Sequence, residues 1–147
     1  MRHRGGKVLG FCAGGYYGSK RCEFEVGHPS LEVAGKRELG FFPGTCRGSA
    51  FEGFVYDKED GAKAAMLTIE DALPGAKGEV KIYCNGGGIF VDADSMTDKG
   101  VTVLARFKDK VKVEGGNAAV VHCKVGNGAA VLLGVHPEYI HPSTTLT

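Results

Sequence analysis

Two short segments carry residue types that can do nucleophilic chemistry together. The first is Gly10-Phe11-Cys12-Ala13-Gly14-Gly15-Tyr16-Tyr17-Gly18-Ser19, where a cysteine ends an apolar run and small residues follow at once. The second is Gly134-Val135-His136-Pro137-Glu138-Tyr139, near the far end of the chain. A thiol nucleophile needs a base to take its proton and a third group to hold that base in the right tautomer. Cys12, His136 and Glu138 are the candidates for those three roles, with Pro137 fixing the backbone between the last two. Each has a plainer reading. Cys12 also fits a small buried hydrophobe beside a glycine-rich turn, and His-Pro-Glu also fits a surface turn.

The elements that must position these groups follow from the pattern around them. Val8-Leu9-Gly10-Phe11 reads as a buried strand, so Cys12 falls on a sharp strand-to-helix turn of the nucleophile-elbow kind. Glycine suits such a turn, where the backbone is strained and the helix packs close to the strand. A helix is expected over 13–24, and its dipole would favour the thiolate. A strand is expected over 37–42, ended by Pro43-Gly44. Residues 62–70 and 78–84 read as a strand pair, and Asn85-Gly86-Gly87-Gly88 breaks the chain before Ile89-Phe90-Val91. Alternation over 101–107, 118–124 and 129–134 predicts further strands, the last two closed as an antiparallel hairpin by Val125-Gly126-Asn127-Gly128. Short turns are expected near 92–98 and after His136.

Composition sets the wider limits. The 147 residues read as a single domain spanning 1–147. Eighteen Lys+Arg against 17 Asp+Glu give a net charge of +1, with no block of one sign. Nucleic acid and anionic membranes are therefore not expected partners. Arg2-His3-Arg4 with Lys7 forms only a small basic start. No apolar run reaches membrane-spanning length and no signal peptide opens the chain. The five cysteines, Cys12, Cys22, Cys46, Cys84 and Cys123, form no CxxC pair, and the histidines form no ligand set. No metal and no cofactor is expected, and a reducing, cytoplasmic setting fits. Glycine is the outlier at 24 of 147, more than twice its usual share of about 7%; dispersed among strand-like runs, it signals turns and close backbone approaches.

Other residues have two readings each. Tyr16 and Tyr17 either line a pocket beside the nucleophile or pack in the core. Arg47 either clamps a substrate carboxylate bidentately or pairs with Glu23 or Glu25. Asn85, Gly86 and Gly87 either present backbone N–H groups as an anion nest or make a wide turn. Cys22, Cys46, Cys84 and Cys123 read as buried small residues, and Glu23 as structural.

The order Cys, then His-x-Glu after the last strand, resembles the class I glutamine amidotransferases. The resemblance is closer in one branch. Cys12-Ala13-Gly14-Gly15-Tyr16-Tyr17-Gly18, Arg21-Cys22-Glu23-Phe24-Glu25, Arg37-Glu38-Leu39, Phe41-Phe42-Pro43-Gly44-Thr45-Cys46-Arg47-Gly48, Tyr83-Cys84-Asn85-Gly86-Gly87-Gly88 and His136-Pro137-Glu138 resemble the N-terminal domain of eukaryotic biotin-protein ligases. That resemblance implies an α/β, flavodoxin-like sheet of the amidotransferase type, with a β-rich C-terminal half. It implies an oxyanion site at the backbone of Ala13 and Gly14, and puts the Asn85–Gly87 loop at the rim of the Cys12 pocket. A small amide or carboxylate would be the ligand.

The family's sheet begins with strands upstream of the elbow, including a loop that donates a second oxyanion N–H. Only seven residues precede Val8 here, so the expected sheet lacks its first strands. Losing one such donor typically costs about 10²–10³ in turnover. Two function classes follow. One is a binding or regulatory module with a vestigial or conditional Cys-His-Glu site; the other is a thiol-dependent amidase or amidotransferase. No Gly-Arg-Gly-Arg-type loop is present, so biotin ligation by this chain is not expected. An exposed sheet edge would favour a homo-oligomer, or a separate segment supplying the missing strands.

Overall fold

The computed structural model describes residues 5–139; Arg2-His3-Arg4 and His141 lie outside them. The elements in chain order are β1 (Lys7–Phe11), α1 (Ala13–Gly18), β2 (Ser19–Phe24), β3 (Val33–Lys36), β4 (Phe42–Gly48), β5 (Lys63–Ile69), β6 (Glu79–Cys84), β7 (Ile89–Phe90), a 3-10 helix (Ala93–Lys99), β8 (Val101–Phe107), β9 (Ala118–Val125) and β10 (Gly128–Leu133). The fold is mixed α and β, with little helix.

The strands form two sheets, a six-stranded one ordered β1-β10-β9-β8-β5-β6 and a four-stranded one ordered β3-β2-β4-β7. Only β1 with β10 and β2 with β4 pair in parallel; every other pair is antiparallel. The six-stranded sheet is covered on both faces. Ala130 and Leu132 of β10 join a cluster with Tyr16, Phe42 and Phe90, while Leu133 joins Leu67, Ile89, Phe107 and Val135 on the opposite side. Burial on two faces suits the apolar residues that β10 carries at successive positions.

The expected strand at the start is β1, but it is an edge strand with Leu9 exposed and only Gly10 buried; the pair at 62–70 and 78–84 is β5 with β6, and the hairpin is β9 with β10. In that hairpin Gly126 has φ 57°, as the first position of a primed two-residue turn requires. The expected helix over 13–24 is corrected. It stops at Gly18, and residues 19–24 form β2 instead. Gly14, Gly15 and Gly18 each cost the helix about 1 kcal/mol against alanine. The buried Ser19 hydroxyl donates to the Gly15 carbonyl at 2.8 Å, and from there burial of Cys22 and Phe24 follows strand alternation.

The strand expected over 37–42 is corrected as well. Residues 37–41 connect β3 to β4, and β4 runs through Pro43-Gly44 to Gly48. Pro43 survives within a strand because the β2–β4 register slips there: Ser19 faces Phe42, but Arg21 faces Thr45. A proline at a bulge costs no ladder hydrogen bond.

Candidate functional site

β1 and β10 lie side by side and point the same way, with Phe11 opposite Leu133. Their carboxyl ends therefore deliver Cys12 and the segment Gly134-Val135-His136 to one end of the sheet, the usual ligand-binding end of parallel strands. The Cys12 N–H donates to the Leu133 carbonyl at 2.8 Å, and the Cys12 carbonyl accepts from Gly15 and Tyr16. Held between strand and helix, Cys12 has φ 50° and ψ −101°. A residue with a Cβ is strained there, and such strain persists only where the surroundings impose it. Gly10 and Gly15 make the turn possible, since a Cβ on either would press within 2.9 Å of a backbone carbonyl oxygen.

The thiol is half-buried and donates to the backbone carbonyl of Asn85 at 3.5 Å. Burial pushes its pKa above the ordinary thiol value; the Ala13 backbone N–H works the other way, and the Glu138 carboxylate adds to the rise. Desolvation wins, so the expected preference for the thiolate is corrected. With only six residues, α1 offers too short a dipole to reverse it.

His136 and Glu138 meet directly, Nδ1 to Oε1 at 2.6 Å. A proton on Nδ1 leaves Nε2 as the basic nitrogen. The His136 N–H donates to the Tyr83 carbonyl at 2.8 Å, and its ring packs against Tyr83 and Tyr139 at centroid distances of 5.9 and 5.3 Å. Among the described residues no hydrogen bond joins the Cys12 thiol to the His136 ring; the thiol's partner is Asn85. Glu138 is close enough to act on the Cys12 charge, and His136 is held by Glu138 and the two tyrosines.

Cys12 and Ala13 line a cavity of about 250 Å³ together with Tyr16, Tyr17, Cys22, Phe24, Val33, Arg37, Phe54, Tyr56 and Gly86. Tyr16 is buried against Phe24 and its hydroxyl donates to the Gly86 carbonyl at 2.9 Å. Tyr17 is 52% exposed. Tyr16 is thus both wall and core, while Tyr17 is wall alone. Gly14 faces open space.

Of Asn85, Gly86 and Gly87, only Gly86 lines this cavity. Asn85 accepts from Cys12 through its backbone, and its side-chain amide donates to the Lys58 carbonyl at 3.1 Å and the Tyr83 hydroxyl at 3.3 Å. Gly87 is pressed against Gly134, so a Cβ at Gly87 would overlap the Gly134 carbonyl. Its own carbonyl accepts from the Ala50 N–H at 2.8 Å. The glycines here serve close backbone packing between the end of β10 and the segment after β4.

Of the two readings of Arg47, the structure has the ion pair. Its Nε lies 2.8 Å from Glu23, and its Nη1 donates to the Glu114 carbonyl at 2.8 Å. Arg47 belongs to a separate polar cavity with Glu23, Glu25 and Lys112, away from the walls around Cys12. Reading the sequence missed Arg37, Phe24, Phe54 and Tyr56 as cavity residues. Arg37 follows directly on β3, and Phe54 and Tyr56 lie in an irregular stretch without periodicity. Cys22, Cys46, Cys84 and Cys123 are all buried, as expected.

No helix among the described residues is long and apolar enough to cross a membrane. Comparison with known proteins gives one family: residues 2–146 match the model of the biotin-protein ligase N-terminal domain. A biotin-protein ligase of Schizosaccharomyces pombe is 44% identical over 136 residues, which are 92% of this chain and 21% of that protein. An uncharacterized protein of Chlamydia muridarum is 39% identical over 137 residues, 92% of this chain and 49% of its own. The chain thus spans about a fifth of one relative and about half of the other. With a matched model over nearly its whole length, this chain belongs to the biotin-protein ligase N-terminal family.

Proposed function

We propose that this chain is a glutamine amidotransferase-like module, flavodoxin-like in descent, that works as a ligand-binding or regulatory domain. Its Cys12-His136-Glu138 site is vestigial or conditional, held at rest with the thiol protonated. The observation that carries this reading is Cys12 itself. Its left-handed backbone is that of a nucleophile elbow, yet its thiol donates to a carbonyl and burial holds its pKa up. A thiol kept in that state is a poor nucleophile. The ligand is a small amide or carboxylate taken into the cavity beside Cys12, with Tyr16, Tyr17 and Gly86 in its walls. We assign the chain no biotin ligation, and place it as a homo-oligomer or with a partner segment along β1, the outer strand of its sheet.

The alternative is a thiol-dependent amidase or amidotransferase, in which Cys12 attacks an amide carbonyl. His136 would act as base and then acid, and Ala13 and Gly14 would face the oxyanion. The 2.6 Å contact between His136 and Glu138 favours it, because that pairing fixes the tautomer a general base needs.

Alkylation of Cys12 against pH, in wild type and His136→Ala, separates the two. The resting site gives an inflection above the ordinary thiol value of about 8.5, unmoved by the substitution. An inflection well below it that rises in His136→Ala would establish the enzyme and overturn the resting site.

A further inference from the structure

The cavity beside Cys12 offers a ligand almost nothing polar. Tyr16, Tyr17, Phe24, Phe54 and Tyr56 give it aromatic walls. The first two have their hydroxyls engaged elsewhere: Tyr16 donates to the Gly86 carbonyl at 2.9 Å and Tyr17 to the Glu38 carboxylate at 3.3 Å. Phe24, Phe54 and Tyr56 pack on one another, with ring centroids 5.0 to 6.3 Å apart. The two cysteines in the wall, Cys12 and Cys22, are neutral thiols whose pKa values are raised by burial.

Arg37 is the exception. Of the four arginines among the described residues, three have carboxylate partners: Arg21 and Arg47 share Glu23, and Arg106 holds Glu70 and Asp94. Arg37 has none among the described residues. Its Nη1 donates to the Lys36 carbonyl at 3.0 Å, and its backbone N–H to the Lys20 carbonyl at 2.9 Å. Its main chain is therefore fixed, and its guanidinium, beside the Lys36 carbonyl and the Cys22 thiol, keeps donors for a ligand. Glu38, next to it, is occupied by Tyr17.

We propose that this cavity binds a small monocarboxylic acid with an apolar body. Arg37 holds the carboxylate through paired N–H donors, and the aromatic walls take the rest. A volume of about 250 Å³ is just below the range of drug-sized sites, which suits a ligand of arylalkanoate size. Free glutamine is disfavoured, because its ammonium and amide would lie against aromatic walls without partners. The inference rests on the cavity being the ligand site of the proposed function, and it needs no chemistry at Cys12.

Calorimetric titration of the full chain tests it, with 4-phenylbutyrate, its neutral amide 4-phenylbutanamide, and glutamine as probes. The acid should bind about tenfold or more tightly than the amide, as a charge-assisted pair predicts. Arg37→Gln should erase that preference, and Arg37→Lys should restore part of it, which guards against a folding defect. Glutamine should not compete. The proposal is overturned if acid and amide bind alike, if neither binds at millimolar concentration, if Arg37→Gln leaves the preference intact, or if glutamine binds best. Cys12 alkylation is read separately, so loss of the resting-site reading and loss of this one give different results.

Discussion

The Cys12 thiol and the Asn85 carbonyl meet at 3.5 Å, which ties the elbow to a loop 73 positions along the chain. That contact uses the proton on sulfur, and burial is the main cause of the raised thiol pKa. The Glu138 carboxylate also raises the thiol pKa. Glu138→Gln should therefore move the Cys12 alkylation inflection to lower pH. Rates of iodoacetamide labelling across the pH range would read it, and an upward movement would remove Glu138 from the field at Cys12.

Gly87 and Gly14 should respond oppositely to alanine. At Gly87 a Cβ collides with the Gly134 carbonyl, whereas at Gly14 it meets nothing. Gly87→Ala should cost about 1–3 kcal/mol or more, and Gly14→Ala should be neutral or stabilising by up to about 1 kcal/mol through helix propensity. Thermal melts of the two variants measure this. Equal effects would mean that the contact between residues 87 and 134 is loose.

Alkaline pH should destabilise the fold. Cys84 and Cys123 are pushed up to about 12 by burial. An unfolded thiol ionises near 8.5. Between those values the unfolded chain has lost protons that the folded chain keeps, so stability falls as pH rises. It is intact below about 8.5, and each such thiol gives a slope of about 1.4 kcal/mol per pH unit within the window. Denaturant melts of wild type and Cys123→Ala should converge as pH rises from 8 to 11.

Glu23 gives the acid counterpart. Its hydrogen bond from Arg47 lowers its pKa despite some desolvation, with Arg21 contributing further. The stabilisation is present above the ordinary carboxylate range and is lost as pH falls through the lowered value. Arg47→Gln should cost about 1 kcal/mol at pH 7 and less at pH 3. A cost independent of pH would show that Arg47 acts through its Glu114 contact instead.

β1 ends its sheet with Leu9 61% exposed. If the chain self-associates along that edge, Leu9→Lys should shift it to the smaller species, since lysine on an edge strand opposes pairing. Light scattering across a concentration series reads the result. A wild type that stays monomeric throughout sinks the oligomer.

Parts of this molecule were legible because local signals agreed with tertiary ones. Lys7–Phe11 stood out as an apolar run and Gly128–Leu133 as a strand after a turn, and Gly126 marks the hairpin between β9 and β10. Pro43-Gly44 misled, because a turn signal and a bulge signal are the same residues until the β2–β4 register is known. The end of α1 was hidden for a related reason: glycines weaken a helix without saying where it stops. At the site, Cys12, His136 and Glu138 stood out by type and spacing. Arg37 reaches the cavity through the pairing of β2 with β3 and its own bond to Lys20, a long-range arrangement with no local signature.

The pairing of β1 with β10 has a consequence for how the site comes into being. Phe11 and Leu133 are neighbours in space but belong to the first and last of the ten described strands. Contacts between such distant positions close the largest loop in the chain and form late and slowly. During synthesis Cys12 leaves the ribosome long before Leu133 exists to accept its N–H. The elbow is therefore completed from the far end of the chain: the Cys12 N–H has its Leu133 acceptor only once the final hairpin is made and docked.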